Sequence, residues 1–161
     1  MERAEYLKSV RDYMYQGEVF GEAMLDCYVA LEPDAERRYK WGTILQLETE
    51  TKARLRPFLT SLGLSIVQDD VRDRVAGLAQ TYASKSWRVH MEEVVKITNM
   101  YLGKFREIAA AAPHDERAIA ESMVTHEAAI KRFGELELEG DTANSLNDVI
   151  AQLKYPLTKS R

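Results

Sequence analysis

Hydrophobic residues recur every three or four positions along most of the chain, the spacing of one face of an α-helix, and no stretch shows the two-residue alternation of a strand. The pattern is most informative between Trp41 and Leu62. There Trp41, Ile44, Glu48, Thr51, Leu55, Phe58 and Leu62 form one stripe that is apolar except for its two central members. A carboxylate on a core-facing stripe is costly to bury unless a cation, a metal or several hydrogen bonds compensate it. Glu48 is therefore the first candidate for chemistry.

The same period predicts the other elements. A first helix runs from about Ala4 to Leu31 on the stripe Leu7, Val10, Met14, Gly17, Glu18, Gly21, Leu25 and Tyr28, and the Glu32-Pro33 pair ends it. Gly17 and Gly21 cost helix propensity and so point to the close approach of another backbone or a bulky side chain. Pro33 is expected early in the second helix, with Asp34 and Glu36 favourable near its N-terminus, Pro57 a kink point and Gly63 its C-terminal cap. The short turn between these helices makes them antiparallel neighbours. From Gly63 to Ser86 the pattern reads as a crossover with a short helix carrying Val71, Val75, Leu78 and Tyr82, capped by Asp69 or Asp70. A third helix, Trp87 to about Ala112, has the stripe Trp87, Met91, Val94, Thr98, Tyr101, Phe105 and Ile108. The fourth, capped by Asp115, has Ile119, Met123, His126, Ile130 and Phe133 and ends near Leu138, with Gly140 beyond. A short helix, about Leu146 to Leu153, closes the chain. The expected fold is all-α: one domain with a four-helix core over 4–138, a helical crossover between the second and third helices, and a tail over 139–161.

Composition narrows the function classes. The 161 residues suffice for one domain with a substantial core. The net charge of −4 comes from 26 acidic and 22 basic residues interleaved along the chain, the pattern of solvated helix faces, and no basic patch suggests nucleic acid. The single cysteine, Cys27, allows no internal disulfide and no thiolate zinc site and reads as a core residue. The N-terminus lacks the apolar run of a secretory signal, and no segment approaches the roughly 20 apolar residues of a membrane span. A soluble, cytoplasmic protein is expected.

The helix midpoints fall near residues 18, 49, 99 and 127, and midpoints of packed helices of similar length share one height. The core-facing polar residues at that height are Glu18, Glu48, Thr51, Thr98 and His126. Two carboxylates and an imidazole converging in a helical bundle are a donor set for iron or manganese. The same residues also make sense as a buried network, with imidazolium His126 between two carboxylates and the hydroxyls of Thr51 and Thr98 donating to it. For Glu48 alone, an i,i+4 ion pair with Lys52 is the simplest alternative. Glu127, about 100° around the helix from His126, is a weaker ligand candidate, and His90 and His114 lie away from the centre. Tyr13, Tyr15, Tyr28, Tyr101 and Trp87 read as packing residues.

With two helical hairpins, a long crossover and carboxylates at the helix centres, Ala4 to Leu138 resembles the ferritin-like, rubrerythrin-like superfamily. In that family's dinuclear pattern the first and third helices each give a Glu, and the second and fourth each give Glu-x-x-His. Glu18, Glu48 and His126 match three of these six positions; Thr51, Thr98 and Met123 stand at the other three. The resemblance implies a site for one iron or manganese ion, held by Glu18, Glu48 and His126 with Thr51 and Thr98 beside it, and oxygen- or peroxide-linked redox chemistry. The alternatives are a metal-free relative serving as a homodimerisation or partner-binding module, and a small-molecule pocket lined by Gly17, Gly21 and aromatic residues.

Overall fold

The computed structural model describes residues 1–159, so the last two residues of the expected tail lie outside the described residues. The chain is all-helical, with no strand among the described residues. Its elements are α1 (Arg3–Ser9), a π-helical turn (Val10–Tyr15), α2 (Gln16–Leu31), α3 (Ala35–Ser61), α4 (Arg72–Tyr82), α5 (Trp87–Ala111), α6 (Arg117–Glu139) and α7 (Asn147–Ile150).

Local chemistry explains most of the boundaries. Asp34 caps α3 by accepting from the Arg37 N–H at 2.9 Å, which leaves Pro33 just outside the helix rather than in its first turn. Ser86 caps α5 by accepting from the Val89 N–H at 3.3 Å. Helices α3 and α6 end on left-handed glycines, Gly63 at φ +70° and Gly140 at φ +88°. There the Leu64 N–H returns to the Leu59 carbonyl and the Asp141 N–H to the Leu136 carbonyl, each at 2.9 Å. Two expected caps are absent. Helix α6 begins after Glu116 without a side-chain cap, so Asp115 lies in the preceding turn, while Glu116 is drawn into a 2.6 Å ion pair with Arg3. At α4, Val71 occupies the cap position, and Asp70 accepts instead from the Arg72 N–H at 3.1 Å. The last helix is shorter than its apolar pattern, spanning Asn147–Ile150.

The first helix contains a feature that its periodicity concealed. The wide π turn at Val10–Tyr15 rotates the residues that follow it, so that Tyr6, Val10, Met14 and Tyr15 are buried before it closes and Glu18 and Val19 after it, while Leu7 is half-buried. Cys27 is also half-buried rather than a core residue.

Helices α2 and α3 form one antiparallel hairpin, α5 and α6 another, and the segment bearing α4 crosses between them and packs on α2. The core divides into two apolar clusters. One gathers Tyr6, Val10, Met14, Leu55, Phe105 and Met123; the other gathers Tyr28, Trp41, Ile44, Met91, Ile130 and Phe133. The first takes the N-terminal end of the α1–α2 helix, the C-terminal halves of α3 and α5 and the start of α6. The second takes their opposite ends. Between them lies the level of Glu18, Glu48, Thr51, Thr98 and His126. Outside the core, the C-terminal segment is fastened to α3 where Glu50 accepts from the N–H groups of Lys154 at 2.7 Å and Tyr155 at 2.9 Å.

Candidate metal centre

Each of the four long helices brings a buried polar side chain to the level between the two clusters. Glu18 on α2 is 2% exposed, Glu48 on α3 is 7% exposed and His126 on α6 is fully buried; Thr51 and Thr98 are buried beside them. His126 Nε2 lies 3.4 Å from Glu18 Oε1 and 3.7 Å from Glu48 Oε1. One donor atom from each of the three residues can be chosen so that no two are more than 4.8 Å apart. Two ligands of one ion can be separated by at most about twice a metal–ligand bond of about 2.1 Å. Both contacts of His126 meet that limit.

The two sides of the imidazole are used differently. Nδ1 is 3.2 Å from the Thr51 hydroxyl, which fixes the ring. Nε2 faces the carboxylates at ion-pair distance, yet it has no aligned hydrogen bond among the described residues, and neither does Glu18 Oε2. Buried polar atoms are rarely left unpaired in a native protein, and two orphans in one cluster call for a partner that binds both. The other expected neighbour acts differently: the Thr98 hydroxyl donates to the carbonyls of Val94 at 2.7 Å and Val95 at 3.3 Å, so its hydrogen is spent on its own helix.

Electrostatically the site is short of positive charge. Burial raises the pKa of Glu18 well above the ordinary carboxylate range, and the adjacent Glu48 raises it further. Glu127, also buried, is raised for the same two reasons in the same order. Lys52 brings no relief, because it pairs with Glu22, which also accepts from the Thr49 hydroxyl at 2.7 Å. The simple i,i+4 pair with Glu48 is therefore absent. Gly21 accounts for where Glu48 goes: a Cβ on Gly21 would lie 2.7 Å from Glu48 Oε2 and 2.9 Å from its Cδ, so the carboxylate occupies the space that the missing side chain leaves. Gly17, one turn away, has Tyr101 beside it, with its absent Cβ 3.8 Å from the ring.

Glu127 is the residue whose importance the sequence understated. It follows Met123 by four and precedes Ile130 by three, so it belongs to the same broad buried face of α6, which a single narrow stripe through His126 did not include. His90 lies apart from the carboxylates. It stacks on Tyr82 at 4.4 Å between ring centroids, and burial lowers its pKa. His114 is exposed. Among the packing aromatics, Tyr28 and Trp41 lie 5.4 Å apart and Trp41 and Trp87 5.1 Å apart, whereas Tyr13 is 39% exposed.

Comparison of the chain with family models, with curated proteins and with solved structures finds no match.

Proposed function

We propose that Glu18, Glu48 and His126 hold one iron or manganese ion at the centre of a ferritin-like bundle, and that the protein uses it in oxygen- or peroxide-linked redox chemistry. The observation that carries this reading is the pair of orphaned atoms, Glu18 Oε2 and His126 Nε2, inside a cluster of three potential donors that lie within 4.8 Å of one another. One imidazole with carboxylate oxygens suits these metals, whereas a soft thiolate-binding metal would find no sulfur ligand in this set. Such an ion would exchange electrons with a small oxidant and polarise it. The chain supplies the rest. Thr51 sets the ring of His126 so that Nε2 faces the carboxylates, as hydrogen bonds to metal-binding imidazoles generally do. Gly21 leaves the room in which Glu48 turns inward. Burial raises the pKa of Glu127 beside the site, and apolar clusters lie above and below it.

A second reading has one observation in its favour. Burial raises the pKa of Glu18 and of Glu127 and so favours their neutral forms, which lowers the cost of the layer in a metal-free bundle built for partner binding or dimerisation. Elemental analysis of protein purified without added metal separates the two. The metal reading expects about one equivalent of iron or manganese per chain. It also expects chelator to lower stability by about 2.7 kcal/mol if free metal stands at 100 times Kd. No metal, with stability unchanged in chelator, would reject it.

Gly21→Ala tests the same geometry from the side. Alanine favours the helix by about 1 kcal/mol, and the atom it meets is the far end of a flexible side chain, so the fold is expected to be as stable or more so. The displaced carboxylate should nevertheless weaken metal binding by about tenfold or more, the scale of a disturbed ligand support. Retention of wild-type metal affinity, measured by competition with a chelator, would show that Glu48 is not a ligand.

A further inference from the structure

A cavity of about 360 Å³ opens between α2 and α5 and reaches the carboxylates of Glu18, Glu48 and Glu127. We propose that it binds an uncharged, predominantly apolar small molecule and presents one end of that molecule to the Glu18–Glu48–His126 cluster. The presentation to a metal rests on the reading above; the binding does not.

The size fits a ligand site rather than a path for a small oxidant alone. Ligand pockets usually run from about 300 to 1,000 Å³, while one water needs only about 10–15 Å³ of such space. The walls determine the chemical class. Leu25, Ile44, Val94, Phe105 and Ile130 line the interior, where water would find few of the two to four polar partners it needs and an apolar group would displace it readily. The polar exception is the carboxylate end, where Glu18 carries an oxygen with no partner.

Charge argues for an uncharged occupant. An anion would meet three carboxylates at the inner end. The cations of the wall are poor counter-ions: Lys85 is already paired with Glu93 at 2.8 Å, and Lys96 is exposed, where water screens it. An organic cation would have to shed its hydration among apolar side chains, a cost that an uncharged molecule does not meet.

Residues of α2, α5 and the crossover shape the cavity. Gly17 and Gly21 line it without side chains of their own, with Tyr101 beside the first and the Glu48 carboxylate against the second. On the outer side, α4 lays Leu78 along the wall, while Phe20 is held beneath the Arg74 guanidinium at 3.9 Å from its ring centroid. Ile97, 46% exposed, also lines the wall and marks where the cavity meets solvent.

The test uses n-decanol, n-decanoate and n-decylammonium, titrated calorimetrically into the full chain as purified, with metal content measured on the same samples. Saturable binding of one n-decanol per chain is expected, tighter than that of either charged analogue. Gly17→Leu, which grows into the cavity from a position with ordinary clearance, should weaken it by about tenfold or more, as should Leu78→Trp on the opposite wall. Gly103→Leu, an equal enlargement in open space on α5, should not. Absence of saturable n-decanol binding would overturn the proposal, as would binding that neither cavity-filling variant weakens. Tighter binding of n-decylammonium would overturn the uncharged class. n-Decanol binding without metal would sustain the cavity and reject the metal reading; one metal per chain without n-decanol binding would do the reverse.

Discussion

Glu48→Gln is expected to reduce the metal content of the purified protein from about one ion per chain to nearly none, while the chain still unfolds cooperatively. The amide nearly conserves volume, so packing around Gly21 survives, and it replaces an anionic donor with a neutral one. The metal-free protein should lose little. Glu48 is one of the groups that raise the pKa of Glu18, so removing it lets Glu18 ionise more readily and serve as the partner of His126. Replacing a buried charge by a neutral group of similar shape is often neutral or stabilising. A different outcome would be equally informative. If chelator-treated Glu48→Gln were about 3–5 kcal/mol less stable than chelator-treated wild type, Glu48 would be the partner of a buried imidazolium. Equal metal content in the two proteins would reject ligation. Metal analysis and urea denaturation of the same preparations distinguish these cases.

Glu137→Ala is expected to cause the larger loss of stability, about 3–5 kcal/mol in urea denaturation, without touching the central site. The Glu137 side chain, only 1% exposed, accepts from Lys40 Nζ and from the Ser145 hydroxyl at 2.5 Å each, and from Trp87 Nε1 at 2.8 Å. It joins α3, α5, α6 and the C-terminal segment through one carboxylate. Its removal strands Lys40, a cation whose side chain is 7% exposed and whose remaining contacts are longer: 3.4 Å to the Thr142 carbonyl and 3.7 Å to Glu36. The double variant Lys40→Met, Glu137→Leu should recover most of the loss, because it removes both charges and fills the space with apolar atoms. A Glu137→Ala protein within about 1 kcal/mol of wild type would mean that water reaches Lys40 freely.

The contrast between these two clusters shows what separates a candidate site from a structural network. Around Glu137 both carboxylate oxygens have donors. Around Glu18 and His126 an oxygen and a ring nitrogen have none, and among the described residues no lysine or arginine side chain is paired with the carboxylates of Glu18 and Glu48. A network whose donors and acceptors match can end at itself, whereas unpaired atoms on both a carboxylate and an imidazole are what the metal reading proposed above would account for.

The local sequence by itself determined where the long helices lie and much of their buried faces, because helical periodicity is a property of neighbouring residues. The stripe from Trp41 to Leu55 is buried through Glu48 and Thr51, and midpoint counting put Glu18, Glu48 and His126 at one height because helices of similar length pack side by side. Tertiary structure decided the rest, through the rotation and separation of the helices, which no single period encodes. It sent Lys52 to Glu22 instead of Glu48, set Gly21 against the Glu48 carboxylate, and brought Glu127 inward on a face wider than one stripe. The π turn before Glu18 left no mark in the pattern, since one wide turn changes the facing of later residues without changing their polarity. The space between α2 and α5 likewise depends on how far apart two remote segments come to rest, and only the folded chain fixes that distance.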